Sequence, residues 1–187
     1  LCLQFEGDSG FELSARVVIN SGGLGAPALG RALARGLNDV RIPLPPEPRY
    51  AKGSYFSLRG AAPFSRLVYP APVSGGLGVH LTLDMAGRAR FGPDLEWVNT
   101  PDYEVDAAHS SRFYAAIRRY WPGLKDGALY PDYAGVRPKI WPDNGGDFRI
   151  DTSDLGTNGQ LISLYGIESP GLTASLDLAD RVADLCS

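Results

Sequence analysis

The 187 residues are 44% hydrophobic and 21% charged, an ordinary composition for a chain that buries a real core as one or two domains. A net charge of −3 without any Lys/Arg run argues against a nucleic-acid partner, and no apolar run approaches the roughly 20 residues of a membrane span. Cys2 and Cys186 stand at opposite ends with no ligand spacing, so the expectation is free thiols, no metal centre and a soluble chain in a reducing, cytoplasmic setting.

The chain opens on LCLQFEGDSGFELSARVVIN without a signal peptide and reads as one already under way. Leu1 to Phe5 and Phe11 to Leu13 predict a hairpin about a Glu6–Gly10 turn, and Arg16 to Asn20 predicts a further strand. Gly23, Gly25 and Ala28 then match the G-x-G-x-x-A form of a dinucleotide fingerprint, between that strand and a helix from Pro27 to about Leu37. The acidic ribose partner expected about 20 residues on is missing, because Glu47 lies in a Pro-rich run, and a lone glycine pattern is weak.

Short strands follow, at Tyr50 to Leu58, Arg66 to Tyr69, Leu77 to Asp84 and Arg88 to Phe91, with Gly- and Pro-rich connections that favour antiparallel pairing. A helix from about Ala107 to Trp121 carries Phe113, Tyr114, Ile117, Tyr120 and Trp121 on one face, a core stripe. Phe148 to Asp151 reads as a short strand. Leu161 to Ile167 is a nearly continuous apolar run, suited to a buried strand. A helix is expected to follow at once, capped by Ser169 with Pro170 in its first turn and Leu172, Leu176, Ala179, Val182 and Ala183 as its buried stripe. The junction Gly166 to Gly171 would leave backbone N–H groups at the positive end of a helix dipole, suited to an electron-rich ligand atom.

The two histidines are weighed separately. In the strand around Gly78 to Thr82, if Val79 and Leu81 face the core, His80 faces the other way with Thr82, either as a half-buried structural imidazole or as a functional one. His109, in the first turn of a helix, reads as solvent-facing. Arg137 in Tyr133-Ala-Gly-Val-Arg-Pro138 is either a surface ion-pair partner or an anion clamp, and Lys139 either assists it or is solvated. Tyr55, Tyr69 and Tyr165 could line a cavity, although nine tyrosines make a core role as reasonable for each.

The phrase GIESPGLTAS closely resembles the C-terminal signature of the flavoproteins grouped with D-amino-acid oxidase, nearest to the L-2-hydroxyglutarate dehydrogenase branch. KGSYF at Lys52 to Phe56, YPAP at Tyr69 to Pro72, LGVHLT at Leu77 to Thr82, ARFGPD at Ala89 to Asp94 and DYAGVRPK resemble it too. VINSGGLGAPAL takes the place of the family's second strand–turn–helix, which lies beside the cofactor.

The resemblance implies an α+β chain: returning pieces of a Rossmann-like FAD-binding domain (1–40 and 146–187) flanking a mostly antiparallel substrate-binding sheet (41–145). It implies FAD as cofactor, touched by Gly22, Gly23 and Leu24 and by Gly166, Ile167, Glu168, Ser169, Pro170, Gly171, Leu172 and Thr173. The family's pyrophosphate-binding βαβ unit has no counterpart here, so an N-terminal FAD-binding segment is an expected partner. The implied reaction is oxidation of a small 2-hydroxy acid, L-2-hydroxyglutarate by preference, with hydride passing to flavin N5. His80 is then the base, Arg137 the carboxylate ligand, and Tyr55 and Lys139 further substrate contacts. The alternatives are an amino-acid or amine oxidase of the same family, or an inactive fragment that cannot hold FAD alone.

Overall fold

The structure, a computed structural model, describes residues 1–5, 10–37, 41–71, 78–141 and 146–186. The chain divides into two compact units, one formed by Leu1–Arg49 with Pro138–Ser187 and the other by Tyr50–Arg137. Glu6 to Ser9 of the expected hairpin turn, Pro72 of YPAP and Leu77 of the strand expected at Leu77 to Asp84 lie outside the described residues.

The first unit opens with an antiparallel hairpin of β1 (Cys2–Phe5) and β2 (Phe11–Ser14), followed by β3 (Val17–Asn20) and α1 (Ala26–Leu37). After the second unit the chain returns through β9 (Arg149–Asp154), β10 (Gln160–Tyr165) and the last helix, Ser175–Leu185. These strands form one sheet in the order β3-β10-β9, with β10 parallel to β3 and antiparallel to β9.

The apolar run Leu161–Tyr165 is the reason β10 is central. All five of its residues are buried, and alternation sends them to two different faces. Leu161 joins Val18, Ile42 and Leu155 against Leu33, Ala34 and Leu37 of α1, whereas Ile162 and Leu164 pack with Val182 of the C-terminal helix. On the α1 side Gly30 is required, since a Cβ there would stand 2.3 Å from the Tyr165 hydroxyl.

The second unit holds β4 (Arg49–Leu58), β5 (His80–Leu83), β6 (Ala89–Gly92), β7 (Glu96–Val98), α2 (Ser110–Arg118) and β8 (Leu129–Lys139). The sheet order is β5-β6-β4-β7, antiparallel throughout, with β8 also pairing β4. Phe56, Phe91 and Leu81 lie fully buried on one sheet face against Phe113 and Ile117 of α2. The expected strand at Arg66 to Tyr69 reduces to a single bridge between Val68 and Leu81.

Two helix expectations are corrected. The helix foreseen from Ala107 to Trp121 is a 3-10 turn at Ala107–His109 leading into α2, which ends at Arg118. Asp106 caps that turn through the Ala108 amide, and Tyr120 and Trp121 bond back to Ile117 just before Pro122. The C-terminal helix, α3 (Ser175–Leu185), begins six residues later than Ser169. Pro170 and Gly171 are poor helix residues, and the chain closes turns there instead, Glu168 N–H to Gly166 and Ala174 N–H to Pro170. The buried stripe of α3 is accordingly Leu178 and Val182, while Leu172 and Leu176 are 92% and 81% exposed.

Tyr120 yields a test of this packing. Its hydroxyl donates to the Val79 carbonyl at 3.2 Å, and burial pushes the phenol up to about 12 from an ordinary 10.0. The folded chain keeps a proton that the unfolded chain releases, so this contribution is complete below pH 10 and is lost as pH rises toward 12. In urea titrations across that interval the parent midpoint is expected to fall more steeply than that of Tyr120→Phe; parallel slopes would contradict the assignment.

Candidate active site

The first unit supplies two turns at the same end of its sheet. Because β3 and β10 are adjacent and parallel, the segments 21–25 and 166–174 both leave from carboxyl ends of strands, where open α/β sheets bind ligands.

The first turn is clamped by Asn20, which is 1% exposed. Its Nδ2 donates to the Ala26 carbonyl at 2.9 Å, and its Oδ1 accepts from the Gly22 amide at 3.2 Å, tying the strand end to the start of α1. A Cβ at Gly22 would be tightly placed, 3.1 Å from Ala26 N, and Gly23 adopts φ 55. Leu24 completes the 3-10 turn Gly23–Gly25.

The second turn is held differently. Gly166, at φ 70, packs so tightly on Ile140 that a Cβ would approach within 2.9 Å. Glu168 forms an ion pair with Lys139, both side chains largely buried. Lys139 is therefore neither solvated nor uncommitted. An open cleft of about 530 Å³ lies beside this pair, lined by Lys139, Gly146, Asp147, Phe148, Glu168, Ser169 and Pro170. Gly171 is buried, and a Cβ would strike Ile167 and the Glu168 carbonyl at 2.7 Å. Among the described residues the amides of Leu172 and Thr173 find no acceptor. The donors foreseen at the first turn of a helix thus belong to a turn preceding α3. This set of neutral, unspent N–H donors fits the carbonyl-rich edge of a flavin.

The second unit carries a different surface. Register places His80 opposite Gly92, and one residue along, β6 and β4 pair Phe91 with Phe56. His80, Gly92 and Tyr55 therefore form one row across three strands, on the face turned away from the Phe56–Phe91–Leu81 core. His80 is buried at 6% exposure and stacks on Tyr69, with centroids 4.0 Å apart. Gly92, at φ 145, has no room for a side chain, since the Tyr55 ring would lie 2.6 Å from its Cβ.

Tyr55 in turn stacks on Tyr133, with centroids 4.5 Å apart and planes 14° from parallel. Burial foremost, then the neighbouring Tyr133, holds the Tyr55 phenol above its ordinary range, while the nearby Arg137 guanidinium works against that rise. Among the described residues Arg137 has no hydrogen-bond or ion-pair partner, although it is half-buried. His80, Tyr69, Tyr55 and Arg137, all singled out in the sequence, thus share one neighbourhood. Tyr133, Arg90 and Asp132 were missed: Arg90 donates Nε–H to Asp132 at 2.6 Å and lies 5.0 Å from the Tyr133 ring centroid. His109, expected to face solvent, is partly exposed and stands 3.6 Å from Glu96.

The architecture is that of an α+β chain with a parallel strand–turn–helix pair of the kind found in cofactor-binding α/β domains. Residues 3–185 match the FAD dependent oxidoreductase family (DAO), and the chain belongs to that family. It is 44% identical over 193 residues to the L-2-hydroxyglutarate dehydrogenase, mitochondrial, of Arabidopsis thaliana. That match takes in 96% of this chain and 39% of the relative's length. In fold it is similar to dithionite-reduced, FAD-bound L-alpha-glycerophosphate oxidase from Mycoplasma pneumoniae, with a TM-score of 0.67 at 20% identity, over 90% of this chain and 42% of that one.

Asn20 carries the prediction for the first turn. Asn20→Ala removes both side-chain bonds, a loss of about 1–3 kcal/mol at about 0.5–1.5 kcal/mol for each. Denaturant unfolding measures it, and a change within about 0.5 kcal/mol, ordinary for a surface substitution, would show that the clamp carries no weight.

Proposed function

We propose that these residues form the substrate-binding sheet and the flavin-edge turns of an FAD-dependent oxidoreductase acting on a small 2-hydroxy acid, with L-2-hydroxyglutarate the best single candidate. The observation that carries this reading is the half-buried Arg137, which among the described residues has no hydrogen-bond or ion-pair partner, in the same neighbourhood as the His80–Tyr69 pair. A guanidinium left without a counter-ion is prepared for an anion, and its planar fork fixes the plane of a carboxylate through two parallel charge-assisted bonds. The 44% identity to the plant dehydrogenase supports the choice of hydroxy acid.

In this reading bound FAD supplies the hydride acceptor. Arg137 binds and orients the α-carboxylate. His80, fixed against the Tyr69 ring, takes the hydroxyl proton as the C2 hydrogen departs, a task for a base that titrates near neutrality. The amides of Leu172 and Thr173, with Gly22 to Leu24 at the neighbouring strand end, hold the cofactor's edge. Ile167, Glu168, Ser169, Pro170 and Gly171 shape that turn, and Lys139 steadies it through Glu168. The remaining adenine dinucleotide contacts come from a segment beyond these 187 residues, in keeping with the 39% of the relative's length that they span. The half-buried Arg137 also suits an amino acid, whose carboxylate is the same group. A dispensable His80 would then mark an amine-oxidising member.

Anaerobic mixing of the FAD-loaded protein with L-2-hydroxyglutarate tests the reading. The flavin's visible absorbance should bleach, and His80→Ala should slow that step by roughly 10²-fold or more, with flavin content unchanged. Arg137→Lys should raise KM, because an ammonium cannot reproduce the bidentate contact. Bleaching by an amino acid alone would transfer the assignment to amine oxidation, and an undiminished rate in His80→Ala would remove the base.

A further inference from the structure

The sheet face that holds His80 has a second guanidinium, Arg90, to which the reading above gives no task. Register fixes its place. His80 pairs with Gly92 and Thr82 with Arg90, so Arg90 is the diagonal cross-strand neighbour of His80 on one face, about 7–8 Å away between Cα atoms. On its other side Arg90 pairs with Ser57, which shares the parity of Tyr55 on β4. β8 lays Tyr133 on the Tyr55 ring, and Arg137 follows four residues on with the same parity.

Arg90 is held in one orientation. Its Nε–H donates to Asp132 at 2.6 Å, Asp132 also accepts from the Ser57 hydroxyl, and the guanidinium lies 5.0 Å from the Tyr133 ring centroid. Fixed at Nε and along its face, the group still presents its end, the fork of two terminal nitrogens. Among the described residues these nitrogens have no acceptor, and the side chain is 30% exposed, so a ligand can reach them. Parallel terminal N–H groups match the two oxygens of a carboxylate. Asp132 offsets the charge of Arg90 without occupying that fork.

We propose that Arg90 is a specificity-determining residue: its terminal fork receives the far carboxylate of a dicarboxylic 2-hydroxy acid whose α-carboxylate is on Arg137 and whose hydroxyl is on His80. This rests on the roles of Arg137 and His80 given above and supplies what they lack. Lactate and 2-hydroxyglutarate present the same α-carboxylate and hydroxyl, so those two residues alone do not separate them. A second anchor on the same face does, because only the dicarboxylate can reach it.

Glutarate and butyrate are suitable probes, since they differ by one carboxylate and neither has a hydroxyl to oxidise. Removing Arg90 alone would leave Asp132 unpaired and repelling the ligand. The test variant is therefore Arg90→Gln with Asp132→Asn, which removes both charges together. In calorimetric titration of the FAD-loaded protein it should weaken glutarate about tenfold or more, the worth of a hydrogen bond between charged groups, and butyrate by a much smaller factor. In turnover, kcat/KM for L-2-hydroxyglutarate relative to L-2-hydroxybutyrate should fall by the same factor. Asp132→Asn alone should tighten glutarate, because an amide oxygen still accepts from Arg90 Nε while the guanidinium charge is no longer offset. That sign also decides the matter if the double variant fails to hold its flavin: parent or weaker glutarate affinity in Asp132→Asn would overturn the assignment. So would a common factor for both probes, or no loss at all, in the double variant while Arg137→Ala loses both, and the Arg137 role would then stand. Parent affinity for both probes in Arg137→Ala would overturn the carboxylate site and the part of Arg90 with it.

Discussion

The period-two alternation of β4, β5 and β6 is the constraint on which the second unit depends. One parity, Phe56, Leu81 and Phe91, is fully buried against Phe113 and Ile117. The other parity, Tyr55, His80 and Gly92, is thereby forced onto the opposite face in a single row. A slip of one residue in any of these pairings would exchange the two sets. Several fully buried large side chains oppose that slip, at about 1.5–3 kcal/mol of transfer free energy for each. The same burial that holds the sheet together therefore aims the polar row, and His80 needs no separate device to set its direction.

The first unit obeys a different rule. Its central strand β10 is buried from both sides by α1 and α3, and its parallel pairing with β3 sends both following turns out at one end. Each turn is then locked by its own chemistry. Asn20 clamps one through two hydrogen bonds, and the Lys139–Glu168 pair with the Gly166–Ile140 contact fixes the other. Neither lock uses the amides of Leu172 and Thr173, which have no acceptor among the described residues.

What the sequence displayed and what it hid follow from these rules. Leu161 to Tyr165 announced a buried strand because a centre strand is apolar at every position, and Val79-His80-Leu81 announced a strand with one polar position because His80 faces away from the core that Leu81 enters. Pro170 misled, since a proline after a serine is a common helix opening, whereas here the glycines at 166 and 171 spend that stretch on turns. β7 was invisible: Glu96-Trp97-Val98 is too short to show a period and is a strand only because β4 is beside it. Arg137 could be named from its local phrase, but Tyr133 could not. Its partner Tyr55 is 78 residues away in the numbering, and only the pairing of β8 with β4 brings them together.

The account stands or falls on Arg137 and His80 addressing the same small molecule. A crystal structure of the FAD-loaded protein with L-2-hydroxyglutarate, or with glutarate if turnover is too fast, measures this directly. The account predicts a carboxylate bidentate on Arg137, with the C2 hydroxyl within hydrogen-bond reach of His80, about 2.6–3.2 Å between heavy atoms. A ligand bound elsewhere, with Arg137 turned to a protein carboxylate and the His80 ring nitrogens occupied by the protein's own groups, would contradict it.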